Sequence, residues 1–207
     1  FLRSDGLCRL ILEKGEKYLG NICTMHPRFY KYIGDDIELC GTGLCCERTC
    51  EQLQEEPGPL QFLMEGRDEP FSLAALLRAL GLDVTEEDTT FSPALTVEAI
   101  QTMTTHLAQT EPINEQWTSD LHFIEHHPDF LLQQGKDYLA QANTTYFQKL
   151  FQYIWYRQLD LATHVPMDVL KAYAAESTFF IFLTAARSHN PLRAAARWSE
   201  QIEYDTE

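Results

Sequence analysis

The chain of 207 residues has few positive charges, no cysteine beyond residue 50 and no long apolar run. Sixteen Lys and Arg stand against 31 Asp and Glu, which gives a formal net charge of −15. Binding to nucleic acid backbones needs clustered basic residues, so we do not expect a nucleic acid partner. The best apolar stretch, residues 177–186, is about half the ~20 residues that cross a membrane, and we expect no membrane span.

The acidic excess and the cysteines occupy different parts of the chain. Residues 1–50 contain seven basic and seven acidic residues, whereas residues 51–140 contain three and seventeen. All six cysteines fall in the neutral N-terminal part, at positions 8, 23, 40, 45, 46 and 50. The sequence EEPGP at residues 55–59 interrupts the helical pattern of residues 44–54 and is typical of a linker. We therefore predict a cysteine-rich segment at residues 1–54 and a helical body at residues 55–207.

The six cysteines allow three interpretations, which are disulfides, metal ligands and inert buried thiols. Disulfide frameworks stabilise chains too short to form a core, and the remaining residues of this chain can bury a core unaided. Adjacent Cys45 and Cys46, followed by Cys50, suit a group of thiolates around a metal better than they suit disulfides. The spacing C-x14-C-x16-C-x4-C-C-x3-C differs from the compact ferredoxin and zinc-ribbon patterns. We predict a metal site, with an iron–sulfur cluster and zinc as the alternatives.

Helical periodicity dominates the sequence after the linker. Apolar residues recur at spacings typical of an amphipathic helix at Tyr146, Leu150, Tyr153, Ile154 and Leu161. Strand-like alternation is scarce, so we predict a mainly α fold, a helical array with a loop-rich, cysteine-rich N-terminal metal-binding segment. Within that segment the pattern predicts a short helix near residues 7–19 and another after Pro27. We expect the aromatic residues at 146–151 and 179–182 to form core.

Polar residues mark where three helices of the body begin. Ser72 is expected to cap one helix, and Ser92 with Pro93 and Asn190 with Pro191 are expected to open two more. The chain has no G-x-G-x-x-G motif at the start of a helix, which excludes the common dinucleotide-binding site.

Short motifs at both ends of the chain carry the most specific signal. They are DGLCRL at residues 5–10, GEKYL at 15–19, ICTMHPRF at 22–29, GLCCE at 43–47, YIWYR at 153–157 and WSEQIEY at 198–204. Together with Phe1 and Leu2, these motifs resemble the flagellin lysine-N-methylase family. The resemblance covers about residues 1–53 and 145–205, and residues between them carry no motif of that family.

The resemblance implies a bacterial, cytoplasmic enzyme that methylates lysines of flagellin or of another Lys-bearing protein. It also implies S-adenosylmethionine as the methyl donor and an iron–sulfur cluster of the 4Fe-4S type. The cysteines that match the family pattern are Cys8, Cys23 and Cys46, with Cys45 as an alternative ligand. A further family cysteine would precede Phe1, so we expect the chain to be part of a longer protein. The alternative is a non-catalytic metal- or iron–sulfur-binding protein with a structural or redox role.

Four other residues have predicted supporting roles. Arg28 is expected to pin a loop or to hold a carboxylate. Glu47 and Glu203 could orient the substrate amine, which must be neutral to accept a methyl group. Arg157 and Glu203 are expected to pair across the helical body and tie its ends together. The catalytic residues themselves stay unassigned.

Histidines and acidic residues give weaker signals. His26 lies within a cysteine motif and is a further metal-ligand candidate. His122 and His126 are one helical turn apart, as in a divalent metal site, but no acidic or cysteine partner is placed to complete it. The acidic residues at 51–140 could attract a Lys-bearing partner or form an ordinary solvated surface.

Overall fold

The structure is a computed structural model, and it describes residues 2–5, 8–141 and 144–203. In chain order its helices and strands are α1 (Arg9–Lys14), α2 (Asn21–Met25), β1 (Arg28–Ile33), β2 (Ile37–Thr42), α3 (Glu47–Glu55), α4 (Leu73–Ala79), α5 (Val97–Leu107), α6 (Glu115–His126), α7 (Pro128–Gln141), α8 (Thr145–Arg157), α9 (Met167–Ser188) and α10 (Pro191–Ile202). Short 3₁₀ helices cover Glu16–Tyr18, Glu87–Thr89 and Leu159–Thr163. The prediction of a mainly α fold is confirmed.

Three helices near the C-terminus, α8, α9 and α10, form the centre of the molecule. α9 packs against α7, α8 and α10, and its residues 177–186 are all buried. α8 is buried on nearly every side, because Gln148 is the only residue of 146–156 that is partly exposed. The aromatic residues at 146–151 and 179–182 lie in this core, which confirms their predicted role.

By length and composition alone, α9 is long and apolar enough to cross a membrane. It has 22 residues, and its most apolar window has a mean hydropathy of 1.3. In the structure, 67% of that window is buried inside the protein. A helix that is apolar all round is typical of a buried core helix as well as of a membrane span, so this feature is weak support for a span. The absence of a span stays a prediction.

Two of the predicted helix starts are confirmed. The Ser72 hydroxyl accepts a hydrogen bond from the Ala75 N–H at 3.2 Å and caps α4. Asn190 caps α10 by accepting from the Arg193 N–H at 3.0 Å, and Pro191 is the first helical residue. Each cap satisfies a backbone donor that has no partner within its own helix.

The start of α5 differs from the prediction. The helix begins at Val97 rather than next to Ser92 and Pro93, and Thr96 is its cap, accepting from the Ala99 N–H at 3.1 Å. Before the helix, two successive hydrogen bonds within residues 93–96 fold the backbone into tight turns. The Ser-Pro pair therefore opens a turn, and the threonine that follows it opens the helix.

An antiparallel hairpin follows Pro27, where we predicted a helix. Residues 28 to 33 of β1 pair with residues 42 to 37 of β2. Burial alternates along β1, as expected for a strand with one face on the core. Its sequence RFYKYI is rich in aromatic and β-branched residues, which favour strands, and Gly34 enters the turn with a φ of +59°. This signal was present in the sequence and was missed.

Two tyrosines of α8 bind the outer edge of β2. The Tyr153 hydroxyl donates to the Thr42 carbonyl oxygen at 2.5 Å and accepts from the Thr42 N–H at 2.8 Å. The Tyr156 hydroxyl makes the same two contacts with Cys40, at 3.0 and 3.2 Å. Residues 40 and 42 point their backbone groups away from β1, and residues 153 and 156 lie on one face of the helix. The helix thus satisfies a strand edge that would otherwise be unpaired.

Glutamines of α8 bind a second connecting segment, the chain between α4 and α5. Gln148 accepts from the Phe91 N–H and donates to the Thr89 carbonyl oxygen, both at 2.6 Å. Gln152 donates to the same carbonyl oxygen at 3.1 Å. Side chains of one buried helix therefore supply hydrogen bonds to backbone groups on two sides of it, the edge of β2 and the irregular chain at residues 89–91.

The cysteine-rich segment and the helical body share apolar packing. Leu39, Leu44, Cys50 and Leu53 are buried and belong to the same hydrophobic cluster as the residues of α8, α9 and α10. In contrast, α1 and α2 bury none of their residues. The division at residue 54 stays a prediction, and the part of the segment that packs on the body begins with the hairpin.

Replacing Gly41 by Ala is expected to weaken the docking of the hairpin on α8. A Cβ atom there would lie 2.6 Å from the Tyr153 hydroxyl oxygen and 2.8 Å from the Phe29 ring. Overpacking of this kind costs about 2–3 kcal/mol of unfolding free energy, which equilibrium urea denaturation measures.

The matched control for Gly41→Ala is Gly20→Ala. No atom lies within 4 Å of a Cβ built on Gly20, so a loss below about 1 kcal/mol is expected there. Equal losses for the two variants would contradict the close packing of Gly41 against the helix.

Candidate functional site

The turn between β2 and α3 carries two predicted ligands, Cys45 and Cys46, both half-buried. Gly43 begins the turn, and its N–H donates to the Pro27 carbonyl oxygen at 2.7 Å. A Cβ atom built on Gly43 would lie 3.2 Å from Cys45 Sγ, 3.5 Å from the Pro27 carbonyl oxygen and 3.6 Å from Glu203 Oε2. The turn therefore places a thiol close to a carboxylate from the far end of the chain.

A buried ion pair joins the ends of α8 and α10 next to this turn. Arg157 pairs with Glu203, and their side chains are 11% and 1% exposed. The Ser199 hydroxyl donates to the other carboxylate oxygen of Glu203, and the Arg157 guanidinium lies 4.7 Å from the centre of the Phe29 ring. The predicted pairing of Arg157 with Glu203 is confirmed. It ties the hairpin, α8 and α10 together at one point.

Four of the six motifs that carry the family resemblance contribute residues around Gly43. Residues 27–29 contribute a carbonyl oxygen and a ring, residues 43–46 the turn, residues 153–157 a tyrosine and an arginine, and residues 199–203 the carboxylate. Residues 1, 6, 7 and 204 of the same motifs lie outside the described residues. Stretches from both ends of the sequence thus form one site, which we call the Gly43 site.

The six cysteines, all of which the structure describes, form no disulfide. Cys8 is half-buried at the N-terminal end of α1, and Cys23 is exposed on α2. Cys40 is exposed on β2, whereas Cys50 is buried on α3. The disulfide framework therefore has no support in the structure.

The thiols do not stand together as a ready metal site. Within residues 2–5, 8–141 and 144–203, no group of three or more His, Cys, Asp and Glu side chains could hold a metal ion. The structure brings Cys45 and Cys46 to the Gly43 site, while Cys8 and Cys23 lie on α1 and α2. The donor set as it stands does not fit a bound cluster, and the predicted ligand set of Cys8, Cys23, Cys46 and Cys45 stays a prediction.

Two predicted supporting residues lie on the surface beside the Gly43 site. Arg28 is exposed, and its guanidinium donates to the Thr24 carbonyl oxygen at 3.1 Å, which pins α2 to the start of β1. Glu47 is exposed in the first turn of α3, immediately after Cys46. Since Glu203 is buried against Arg157, Glu47 is the better placed of the two carboxylates to meet an incoming amine.

The histidine candidates remain on the surface. The rings of His122 and His126 stack at 4.1 Å, and His126 Nδ1 lies 2.8 Å from the His122 carbonyl oxygen. No third ligand completes a metal site with them in the described part of the chain. His26 is exposed at the end of α2.

Cys50 is buried beside the Gly43 site, against α8. Its thiol donates to the Leu44 carbonyl oxygen at 3.1 Å and packs near Tyr146. Burial raises the pKa of Cys50 to about 12, and burial also raises the pKa of Tyr146 above its ordinary value of 10.0. A neutral buried thiol is a poor nucleophile and a poor metal ligand, so Cys50 has the properties of the inert buried thiols.

Sequence reasoning missed the roles of Lys149 and Tyr156. Lys149 is 3% exposed in the middle of α8, and its ammonium donates to the Glu56 carbonyl oxygen. The available signal was a lysine within an otherwise apolar helical stripe. Tyr156 gave no comparable signal, because the strand edge that it binds is far away in the sequence.

Comparison of the chain with protein-family models, with curated proteins and with solved structures found no match. The functional proposal therefore depends on the geometry of the Gly43 site and on the motifs that meet there.

Removing one partner of the buried ion pair is expected to destabilise the protein strongly. Arg157→Met leaves the Glu203 carboxylate buried without its cation, and a loss of about 3–5 kcal/mol in unfolding free energy is typical of that change. The double variant Arg157→Met, Glu203→Leu is expected to recover part of the loss, because no buried charge remains.

The exposed pair of Arg48 and Glu51 provides the control for this experiment. Their side chains are 60% and 40% exposed, so Arg48→Met is expected to cost less than about 1 kcal/mol. Urea denaturation of the four proteins measures the differences. A loss for Arg157→Met no larger than that for Arg48→Met would contradict the structural role of the pair.

Cys50 is expected to resist alkylation while the protein is folded. With its pKa near 12, the thiol is neutral at pH 8, whereas iodoacetamide should modify exposed Cys23 and Cys40 readily. Mass spectrometry after brief labelling, with and without urea, identifies the modified residues. Labelling of Cys50 as fast as Cys23 in the folded protein would contradict this environment.

The raised pKa of Cys50 also predicts a loss of stability at alkaline pH. Unfolded Cys50 ionises near pH 9, whereas the folded thiol keeps its proton until about pH 12. The folded state therefore binds more protons in this window, and the unfolding free energy falls as pH rises from about 9 to 12. Buried Tyr146, Tyr153 and Tyr156 act in the same direction, so Cys50→Ala should reduce the slope without abolishing it.

Proposed function

We propose that this chain is a protein-lysine N-methyltransferase of the flagellin lysine-N-methylase type. In this proposal the methyl donor is S-adenosylmethionine, the N-terminal cysteines hold an iron–sulfur cluster, and the protein acts in the bacterial cytoplasm. The observation that carries the proposal is the meeting of the motif residues around Gly43. Four stretches that resemble one family are far apart in the sequence, and a shared site is a physical reason for them to occur together.

The packing of the N-terminal segment supports metal binding. α1 and α2, which contain or adjoin Cys8 and Cys23, bury no residue, and several large apolar side chains on them are exposed. A segment without its own core is typical of chains whose folding is completed by metal ligation, because the free energy of metal binding then replaces apolar burial. In this proposal Cys8 and Cys23 join Cys46, with Cys45 as the alternative, as the thiolate ligands of the cluster.

In this proposal the two carboxylates of the Gly43 site, Glu203 and Glu47, have different roles. Glu203 is neutralised by Arg157 and Ser199, so its role is to hold the turn in place. Glu47 faces solvent and is able to pair with the substrate ammonium as it arrives. Methyl transfer needs the neutral amine, which desolvation on docking favours by lowering the pKa of the substrate lysine. Residues 51–140, with three basic and seventeen acidic residues, would attract a Lys-bearing partner such as flagellin.

The second candidate is a metal- or iron–sulfur-binding protein without catalytic activity. It is favoured by the state of Glu203, because this carboxylate is already paired with Arg157 and buried and is therefore not free to act as a base. A structural or redox role needs only the thiols. Zinc is the alternative metal in this case, and it would leave the protein colourless.

The decisive experiment combines metal analysis with a methyl-transfer assay. The protein is purified without oxygen, iron, sulfide and zinc are quantified, and methylation of purified flagellin by radiolabelled S-adenosylmethionine is measured. The enzyme proposal expects brown protein that contains iron and sulfide and that labels flagellin lysines. Iron and sulfide without methyl transfer would favour the non-catalytic candidate, and zinc alone would contradict both iron–sulfur proposals.

Single cysteine variants test the ligand set. Cys8→Ala, Cys23→Ala and Cys46→Ala are each expected to reduce iron content and methyl transfer by about tenfold or more, because each removes a thiolate ligand. Cys40→Ala is the matched control, since Cys40 is exposed on β2 and lies outside the predicted set. Retention of the cluster in all three ligand variants would contradict the assignment.

A further inference from the structure

A cleft of about 380 Å³ lies between α3, the chain after it and α8. Thr49, Gln52 and Lys149 give the cleft polar groups, and Pro57 and Leu60 give it an apolar wall. Its volume is at the lower end of the range of about 300–1,000 Å³ found for small-molecule sites. None of the six cysteines lines this cleft, so it is separate from the predicted metal ligands.

Lys149 is a buried cation that makes no ion pair with a carboxylate of the described residues. Its side chain is nearly inaccessible to solvent, at 3% exposed, and its ammonium donates to the Glu56 carbonyl oxygen. In the described part of the chain, no carboxylate oxygen lies within 4.0 Å of Lys149 Nζ. An ammonium has three N–H donors, and the backbone carbonyl takes one of them. Burial of a charge is costly unless it is paired, so the remaining donors of this ammonium favour a directly bound anion.

Burial lowers the pKa of Lys149, and the charge of the Glu56 carboxylate acts in the opposite direction. The net direction shows that loss of hydration outweighs the attraction to Glu56. The hydroxyl of Thr49 donates to the hydroxyl of Thr42 at 2.9 Å, and both threonines line the cleft. The lining of the cleft thus contains one cation and two threonine hydroxyl groups.

We propose that this cleft binds a small organic carboxylate. The carboxylate pairs with the Lys149 ammonium, and the short apolar body of the ligand packs against Pro57 and Leu60. Lys149 is the single cation among the described residues that line the cleft, and Glu56 lines it as well. One cation matches a monoanion, whereas a phosphate dianion beside Glu56 would lack sufficient positive charge.

The test uses acetate, butanoate and benzoate as probes, with butyramide as the neutral counterpart of butanoate. Isothermal titration calorimetry measures binding to the unaltered protein and to two variants. Lys149→Met removes the cation, and Lys136→Met is the control because Lys136 is exposed on α7. At least one carboxylate is expected to bind, and its Kd should rise about tenfold or more in Lys149→Met and stay unchanged in Lys136→Met.

A second measurement does not depend on the folding of any variant. Reductive methylation with formaldehyde and a borohydride labels accessible lysines, and mass spectrometry gives the rate at each position. The bound carboxylate is expected to slow labelling of Lys149 and to leave Lys136 unaffected. The proposal is overturned if no carboxylate binds, if butyramide binds as well as butanoate, or if binding survives in Lys149→Met with Lys149 labelling unchanged.

Discussion

The structure depends on the burial of one helix that carries polar side chains. α8 is enclosed by α9, by the hairpin and by the chain around residues 56 and 89–91, so most of the surface of its tyrosine, glutamine and lysine side chains is shielded from bulk water. Burial of a polar group is costly unless it is hydrogen-bonded, and the lysine, both glutamines and two of the tyrosines find backbone partners in β2 and in the irregular chain at residues 56 and 89–91. Each segment is therefore held at a fixed place against the helix.

The polar contacts of the buried helix α8 also position the Gly43 site. Tyr153 and Tyr156 hold β2, Arg157 holds Glu203, and the turn that carries Cys45 and Cys46 lies between those two points. The cleft at Lys149 lies on the neighbouring face of the same helix. One buried helix thus supports two candidate sites with different chemistry, a thiol-bearing turn and a cationic cleft.

Much of the helical body could be predicted, because its signals are local. Ser72 and Asn190 cap helices through contacts three residues away, and the aromatic stripe of α8 repeats at helical spacing. The hairpin after Pro27 was missed because glycines and polar residues around it masked its alternation. The pairing of Arg157 with Glu203 was predicted from motif positions, whereas the carbonyl partner of Lys149 was not.

The sequence by itself determined the helical class, the apolar stripes, the starts of α4 and α10 and the confinement of every cysteine to the first fifty residues. Those features follow from side-chain periodicity and capping, which act over a few residues. The tertiary structure decided that Cys50 is buried, that Glu203 is neutralised by an ion pair and that Lys149 is bound by a backbone carbonyl and by no carboxylate of the described residues. Burial and charge pairing depend on residues distant in the chain, so only the folded arrangement brings those partners together.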